Sequence, residues 1–309
     1  MEIKGIKINW DNFSVWVYVV LGNEVALIDS GPPSLQKEEV MSIFSRFGVS
    51  LGKTKWVLNT HGHVDHIGAN DLVRMLTGAK VLIHEKDAIF IEDRSLSFDL
   101  YYAPGKENYA LVKEEFLKII GPDSKADAYV KEGDMIDLGG VTVKVLELPG
   151  HTLGSVGYWI EKEGIVFCGD SIQGLGSGGL LPIIYDLDQY ELSVRKLMEL
   201  EAKIAYFSHP YRGEKFPPST SREGDELKRF LTDSLGFCKV FREAIYSVTS
   251  GNIIERELFH ITKAIVEKLP SEMEFLPLSV PIMRDFSCTT VYFTLKNLKL
   301  LKEEVNGQF

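Results

Sequence analysis

Three of the seven histidines in this chain fall within six residues, in Thr60-His61-Gly62-His63-Val64-Asp65-His66. Packing alone seldom gathers imidazoles in this way, because each ring brings two nitrogens that need partners. An HxHxDH run directly after a strand instead collects N and O ligands around one place. Alternation sends His61 and His63 to one side, and the turn into the next helix sends Asp65 and His66 to another. That split suits two adjacent metal ions better than one. Imidazole with carboxylate fits zinc, with iron or manganese as alternatives. Further ligand candidates follow other apolar runs: His151 in Leu148-Pro149-Gly150-His151-Thr152, Asp170 in Phe167-Cys168-Gly169-Asp170-Ser171, and His209 in Phe207-Ser208-His209-Pro210. Any one of them alone reads as a cap or a surface residue. Their company with the cluster makes them candidates.

Such residues need strand ends to carry them, since loops there project side chains toward a shared site. Residues 15–20 and 24–29 flank Gly22-Asn23, a hairpin signal. Ser34 is placed to cap a helix through Phe47, and 55–59 reads as a strand that runs straight into the cluster. A helix begins near Asn70, and 80–84 is a short strand. Residues 86–130 read as helical and aromatic-rich, either a lid over the metals or a cover for the core. Strands resume over 135–148, 157–160, 165–168 and 205–207. Beyond Phe216-Pro217-Pro218 the pattern turns helical, over 223–237, 238–247, 255–269 and 288–305. A catalytic domain over 1–215 and a mainly helical domain over 216–309 are therefore expected.

The 309 residues are 45% hydrophobic and 25% charged, which excludes a disordered or collagen-like chain. Net charge is −10, with 12 basic and 13 acidic residues after residue 215 against 22 and 31 before it. The acidity thus sits with the histidines and speaks against a broad nucleic-acid surface, while leaving a local one open. The three dispersed cysteines, Cys168, Cys238 and Cys288, form no CxxC pair. A reducing, cytoplasmic location is expected from them. The N-terminal residues show no leader pattern, and the apolar run 13–21 is about half of what a membrane helix needs, so no membrane partner is expected. A homodimer is left open.

Taken together, Asp29 in Leu27-Ile28-Asp29-Ser30-Gly31, the HxHxDH cluster, His151, Asp170 and His209 resemble, in order, the motifs of the metallo-β-lactamase superfamily. The likeness is to its glyoxalase II-like hydrolase branch and runs over about 10–215. It implies an α+β fold, a four-layer αββα sandwich with the metals at one edge and a C-terminal helical lobe. It also implies that His61, His63 and His151 hold one metal, Asp65, His66 and His209 a second, with Asp170 bridging and Asp29 orienting a ligand-bearing loop. Two zinc ions per chain are expected, Asp65 and Asp170 being the carboxylates read as catalytic. The implied reaction is attack by metal-activated hydroxide on a thioester, ester or lactone of a small acyl substrate.

The helical tail is more similar to that of the β-lactamase-like-protein-2 group, whose final helix is echoed by Thr290-Val291, Leu295 and Leu298. That group includes a single-stranded ribonuclease, which stays as the alternative reading. A mononuclear iron persulfide dioxygenase is a third, against which the intact Asp65, His66 and His209 speak. Tyr158, Tyr211 and Arg212 are candidates for the substrate pocket. Gly174-Leu175-Gly176-Ser177-Gly178-Gly179 formally matches a dinucleotide motif, but Leu180-Leu181-Pro182 is a poor helix start, and it reads as a loop beside the site. His84, His260 and Cys168 read as structural.

Overall fold

Alternation along residues 13–21 decides the architecture. Val15, Val17 and Val19 face one way and Tyr18 and Val20 the other, yet all are buried, so this strand is covered on both faces. The chain has a computed structural model, which describes residues 1–10, 13–102, 109–250, 258–279 and 281–300. Its first sheet holds β1 (Glu2–Trp10), β2 (Phe13–Leu21), β3 (Val25–Ile28), β4 (Thr54–Leu58), β5 (Lys80–His84) and β6 (Ala128–Val130) in that spatial order. β1 to β3 pair antiparallel, and β3 to β6 run parallel. The second sheet holds β7 (Met135–Asp137), β8 (Thr142–Glu147), β9 (Val156–Ile160), β10 (Ile165–Gly169), β11 (Ile204–Tyr211) and β12 (Ser219–Glu223), parallel only between β10 and β11.

The sheets face each other across an apolar layer in which Tyr18, Val20, Ile28 and Leu58 meet Val143, Val145, Tyr158 and Phe167. The Tyr18 hydroxyl also crosses the interface, 2.8 Å from the Phe207 carbonyl and 3.0 Å from that of Thr220. Outside the first sheet lie α1 (Lys37–Arg46), α2 (Val64–Ile67) and α3 (Asn70–Thr77), whose Val40, Phe44, Ile67 and Val73 cover Val17, Val57 and Val81. Two short turns, α4 (Ile89–Glu92) and α5 (Arg94–Ser97), and then α6 (Tyr109–Ile120) follow. Outside the second sheet lie α7 (Leu187–Glu199), α8 (Gly224–Thr249), α9 (Leu258–Val266) and α10 (Pro281–Asn297). This is the αββα sandwich that the motif order implied.

The tail differs in detail from its pattern. β12 follows the expected boundary at 215 and completes the second sheet, and Phe230, Phe237, Ile265 and Val291 share one core with Phe207 and Val166 of that sheet. The helices expected over 223–237 and 238–247 are one continuous α8 of 26 residues. Its buried face runs unbroken through Phe230, Ser234, Phe237, Phe241 and Ile245, so Gly236 is carried inside the helix by packing. The start of the expected 255–269 helix and residues 301–305 of the last one lie outside the described residues. Among the described residues, no helix is long and apolar enough to cross a membrane.

Candidate metal centre

The candidate ligands gather at or beyond the ends of strands, with Asp65 and His66 carried on α2 and His209 within the last residues of β11. β4 passes through Asn59 and Thr60 into the cluster, where His63 starts α2 and α2 carries Asp65 and His66. Gly62 lies so close to Phe90 that a Cβ would sit 2.2 Å from its ring, and this lets the His61–His63 loop fold down. β8 leads to His151 and β10 to Asp170. Gly169 between Cys168 and Asp170 has φ +53 and would bring a Cβ to 2.2 Å from the Thr60 hydroxyl, so a side chain there is excluded twice over. His209 belongs to β11, where the pairing register shifts between Tyr206 and Tyr211.

The result is two adjoining groups. Ligand atoms of His61, His63 and His151 lie within 4.8 Å of one another, as do those of Asp65, His66 and His209, and a third set, His61, His66 and Asp170, joins them. The Asp170 Oδ2 atom is 3.6 Å from His66 Nε2, 3.4 Å from His209 Nε2 and 3.8 Å from His151 Nε2, which puts it between the groups. The first group is buried. The second opens to solvent through Asp65 and His209, whose side chains are 19% and 15% exposed.

The ring supports decide which nitrogens are free. Asp29 Oδ2 lies 2.8 Å from His66 Nδ1, the Ile183 carbonyl 2.7 Å from His151 Nδ1, and the Ser14 carbonyl 2.8 Å from His209 Nδ1. Each of these oxygens holds its ring by Nδ1, with Gln173 Nε2 a further neighbour of His151 Nδ1 at 2.7 Å, and each Nε2 is turned inward. Those Nε2 atoms point at one another and at carboxylates: His61 and His151 Nε2 are 3.1 Å apart, and His209 Nε2 is 3.1 Å from Asp65 Oδ2. His66 Nε2 and Asp170 Oδ1 are buried with no hydrogen-bond partner at all. Imidazole nitrogens and carboxylates converging this closely, two of their atoms buried and unpartnered, are satisfied together by cations among them, so this donor set fits divalent metal.

Charge separates the groups further. Burial, reinforced by the neighbouring histidines, pushes His61 well below the ordinary imidazole range, and burial with His151 does so for His63. Burial also acts downward on His66 and His209, but the carboxylates Asp65 and Asp170 outweigh it and hold both above that range. Burial acts upward on Asp65 and Asp170, and the histidines reverse it, so both carboxylates stay ionised.

Asp29 supports the second group by accepting from the Thr60 N–H at 2.7 Å and the Thr60 hydroxyl at 2.9 Å as well as from His66. It does so from a left-handed backbone, φ 63. The pocket expectation for Tyr158 is corrected: it is fully buried between the sheets, where its hydroxyl donates to the Asn59 carbonyl at 2.8 Å. Strand alternation turns it inward. Tyr211 is buried beside His209, ring centroids 6.0 Å apart, where burial, reinforced by the Asp170 carboxylate, pushes its phenol well above the ordinary range. Arg212 turns toward the tail, 5.5 Å over the Phe275 ring and 3.9 Å from the Glu274 carboxylate. The aromatic stretch reaches the first group through Phe90 and Tyr102, each 5.8 Å from His63 by ring centroids; residues 103–108 lie outside the described residues. His84 bonds Glu147 at 3.1 Å, His260 lies exposed on α9, and the Cys168 thiol is buried and pushed up by desolvation. The glycine loop opens no helix: its backbone bonds Arg212 and Leu276.

Two functional supports carried no sequence signal of their own. The buried Asp87 carboxylate accepts from the N–H groups of Gly62 and Gly154, both at 2.8 Å, and from the Thr152 hydroxyl at 2.6 Å, so it clamps the His61–His63 loop to the His151 loop. The Tyr185 hydroxyl lies 2.9 Å from His63 Nε2, which leaves Nδ1 as the ligand atom of that ring. An acidic residue right after β5, buried among Ala88, Phe90 and Ile91, was the available hint of the first.

Comparison with known proteins agrees with this arrangement. Residues 10–209 match the family model described as Metallo-beta-lactamase superfamily. A hydroxyacylglutathione hydrolase of Rhodospirillum rubrum is 29% identical over 212 residues, 68% of this chain and 67% of that one. A metallo-β-lactamase family protein from Thermus thermophilus superposes with a TM-score of 0.70 at 19% identity, covering 96% of this chain and 93% of its own. An archaeal superfamily protein from Sulfolobus tokodaii gives a TM-score of 0.55 at 18% identity, covering 96% and 98%. At that identity the two structures speak for the fold.

Proposed function

Because the chain belongs to the metallo-β-lactamase superfamily, we propose that it is a dinuclear metal-dependent hydrolase of small acyl compounds, with zinc as the metal. Among thioesters, esters and lactones we put the thioester first, since the curated relatives are named for hydrolysis of an acyl group carried on glutathione. The observation that carries the reading is the convergence of Nε2 atoms on Asp65 and Asp170, with His66 Nε2 and Asp170 Oδ1 buried and unpartnered.

His61, His63 and His151 would hold one ion and Asp65, His66 and His209 the other, with Asp170 between them. Bound divalent ions supply Lewis acidity toward a carbonyl oxygen and lower the pKa of water from 15.7 to about 7. The chain's own residues do the rest. Asp29 and the Ile183 and Ser14 carbonyls hold the imidazole rings, so the Nε2 atoms stay aimed inward. Burial of the first group keeps bulk water off one side of the reacting carbonyl, and substrate approaches past Asp65 and His209. Asp65, ionised and open to that side, is placed to take the proton released by the attacking water. The three buried free thiols suit a reducing compartment, and we place the protein in the cytoplasm.

Metal analysis combined with a panel of thioester, lactone, p-nitrophenyl ester, phosphodiester and single-stranded RNA tests this. About two zinc ions per chain are expected, with thioester cleavage lost to a chelator and restored by zinc. A protein that takes up no metal on reconstitution overturns the proposal, and RNA cleavage without acyl hydrolysis transfers it to the ribonuclease reading. Oxygen consumption with a persulfide would favour the dioxygenase instead.

A further inference from the structure

Residues 182–185 form a short bridge between the metal centre and the last helix. On the inner side the Ile183 carbonyl accepts from His151 Nδ1 at 2.7 Å, and the Tyr185 hydroxyl meets His63 Nε2 at 2.9 Å. The Tyr185 and Asp186 N–H groups both donate to the carbonyl of Gly150, the residue before His151, at 2.8 and 3.0 Å. On the outer side the bridge is held by α10. The Thr290 hydroxyl donates to the Pro182 carbonyl at 2.9 Å and accepts from the Ile184 N–H at 3.2 Å. The Asn297 side-chain amide donates to the Tyr185 carbonyl at 2.6 Å, and the Phe293 ring packs 4.5 Å from that of Tyr185.

Thr290 is fully buried, and its hydroxyl serves a carbonyl and an N–H at once. Its loss would leave both backbone groups unpaired in the interior. The rings of the second group are held from elsewhere: His66 rests on Asp29 and His209 on Ser14, both in the N-terminal part of the chain.

We propose that α10 is a positioning element for one metal site, in which Thr290 and Asn297, acting through residues 182–185, fix His63 and His151 and thereby set the metal affinity of the three-histidine group alone. This rests on reading that group as a metal site. The relation between tail and centre is then one of support at a distance, and the tail need not touch substrate to matter.

The test is a two-step zinc(II) titration of the full-length apoprotein, with cobalt(II) absorption identifying the three-histidine step. Wild type should load two ions; loading none would defeat the metal-site reading rather than this inference. Thr290→Val should weaken the three-histidine step about 10- to 100-fold, shift its cobalt spectrum and leave the other step unchanged, while Thr290→Ser restores it. Asn297→Ala, at an exposed position, should weaken the same step about fivefold, so the inference stays testable if the threonine variant does not fold. Equal weakening of both steps, or wild-type titrations and spectra in Asn297→Ala and in any folded Thr290→Val, overturns the inference.

Discussion

The three-histidine group and the Asp65–His66–His209 group share Asp170 and differ in almost everything else. The first is sealed, neutral and braced by backbone: Asp87 ties its two loops and residues 182–185 hold two of its rings. The second is partly wet and rich in charge, with Asp65 and Asp170 raising the affinity of His66 and His209 for protons. One group is built for rigidity and the other for exchange with solvent and substrate. The difference shows how a single site can be stiff on one side and reactive on the other.

Asp170→Ala would erase the comparison by removing what the groups share. Loss of both metals and a fall in hydrolysis of about a thousandfold or more are expected, read by metal stoichiometry and initial rates; retention of one full-strength ion would place Asp170 in a single group. Asp87→Ala should strike the first group only. It leaves two N–H groups and a hydroxyl unpaired in the interior, an expected cost of about 3 kcal/mol in denaturant unfolding together with weaker loading of the three-histidine step. Asp29→Asn is its counterpart for the second group, where the expected loss of zinc affinity is about 10- to 100-fold with the first step preserved.

Protons sharpen the contrast in a different way. A histidine whose folded pKa is raised stabilises the metal-free fold fully below the ordinary value of 6.5 and loses that contribution as pH rises through the raised value. His66 and His209 are in this class, so at pH 7 zinc must displace their protons, and affinity of the second group should climb with pH above 6.5. His61 and His63 are already neutral there and release nothing. Proton release measured in weakly buffered solution should therefore accompany one titration step and not the other. The smallest effect is expected from His84→Ala, which removes a half-exposed ion pair outside both groups; hydrolysis near wild type is the outcome, and a large fall would mean that His84 reaches the centre.

Much of this was legible in the sequence because the ligand candidates are local. HxHxDH is contiguous, and His151, Asp170 and His209 each follow a recognisable apolar run. Nine of the twelve strands were legible through alternation and glycine turns, whereas β1, β12 and β6, the last inside the stretch read as helical, were not. What sequence could not show are partners that meet only after folding. Asp87 meets Gly154 across 67 positions and Tyr185 meets His63 across 122, and in the first of these the donor is backbone, which has no residue signature. Tyr158 misled because its distance from His151 along the chain says nothing of which way β9 turns it. The division expected between 237 and 238 is overridden by the continuous buried face of α8.

The dependence of residues 182–185 on α10 has a consequence in time. Both sheets are encoded once Glu223 has been added, whereas Thr290 and Asn297 come about 70 residues later. At roughly 5–20 residues per second that is an interval of about 4–15 s. Throughout it the nascent chain can hold its sandwich and the whole HxHxDH loop, while Pro182, Ile184 and Tyr185 still lack their outer partners. Completion of the centre thus waits for α10, and a chain released before it would carry every ligand and lack the brace that sets two of them.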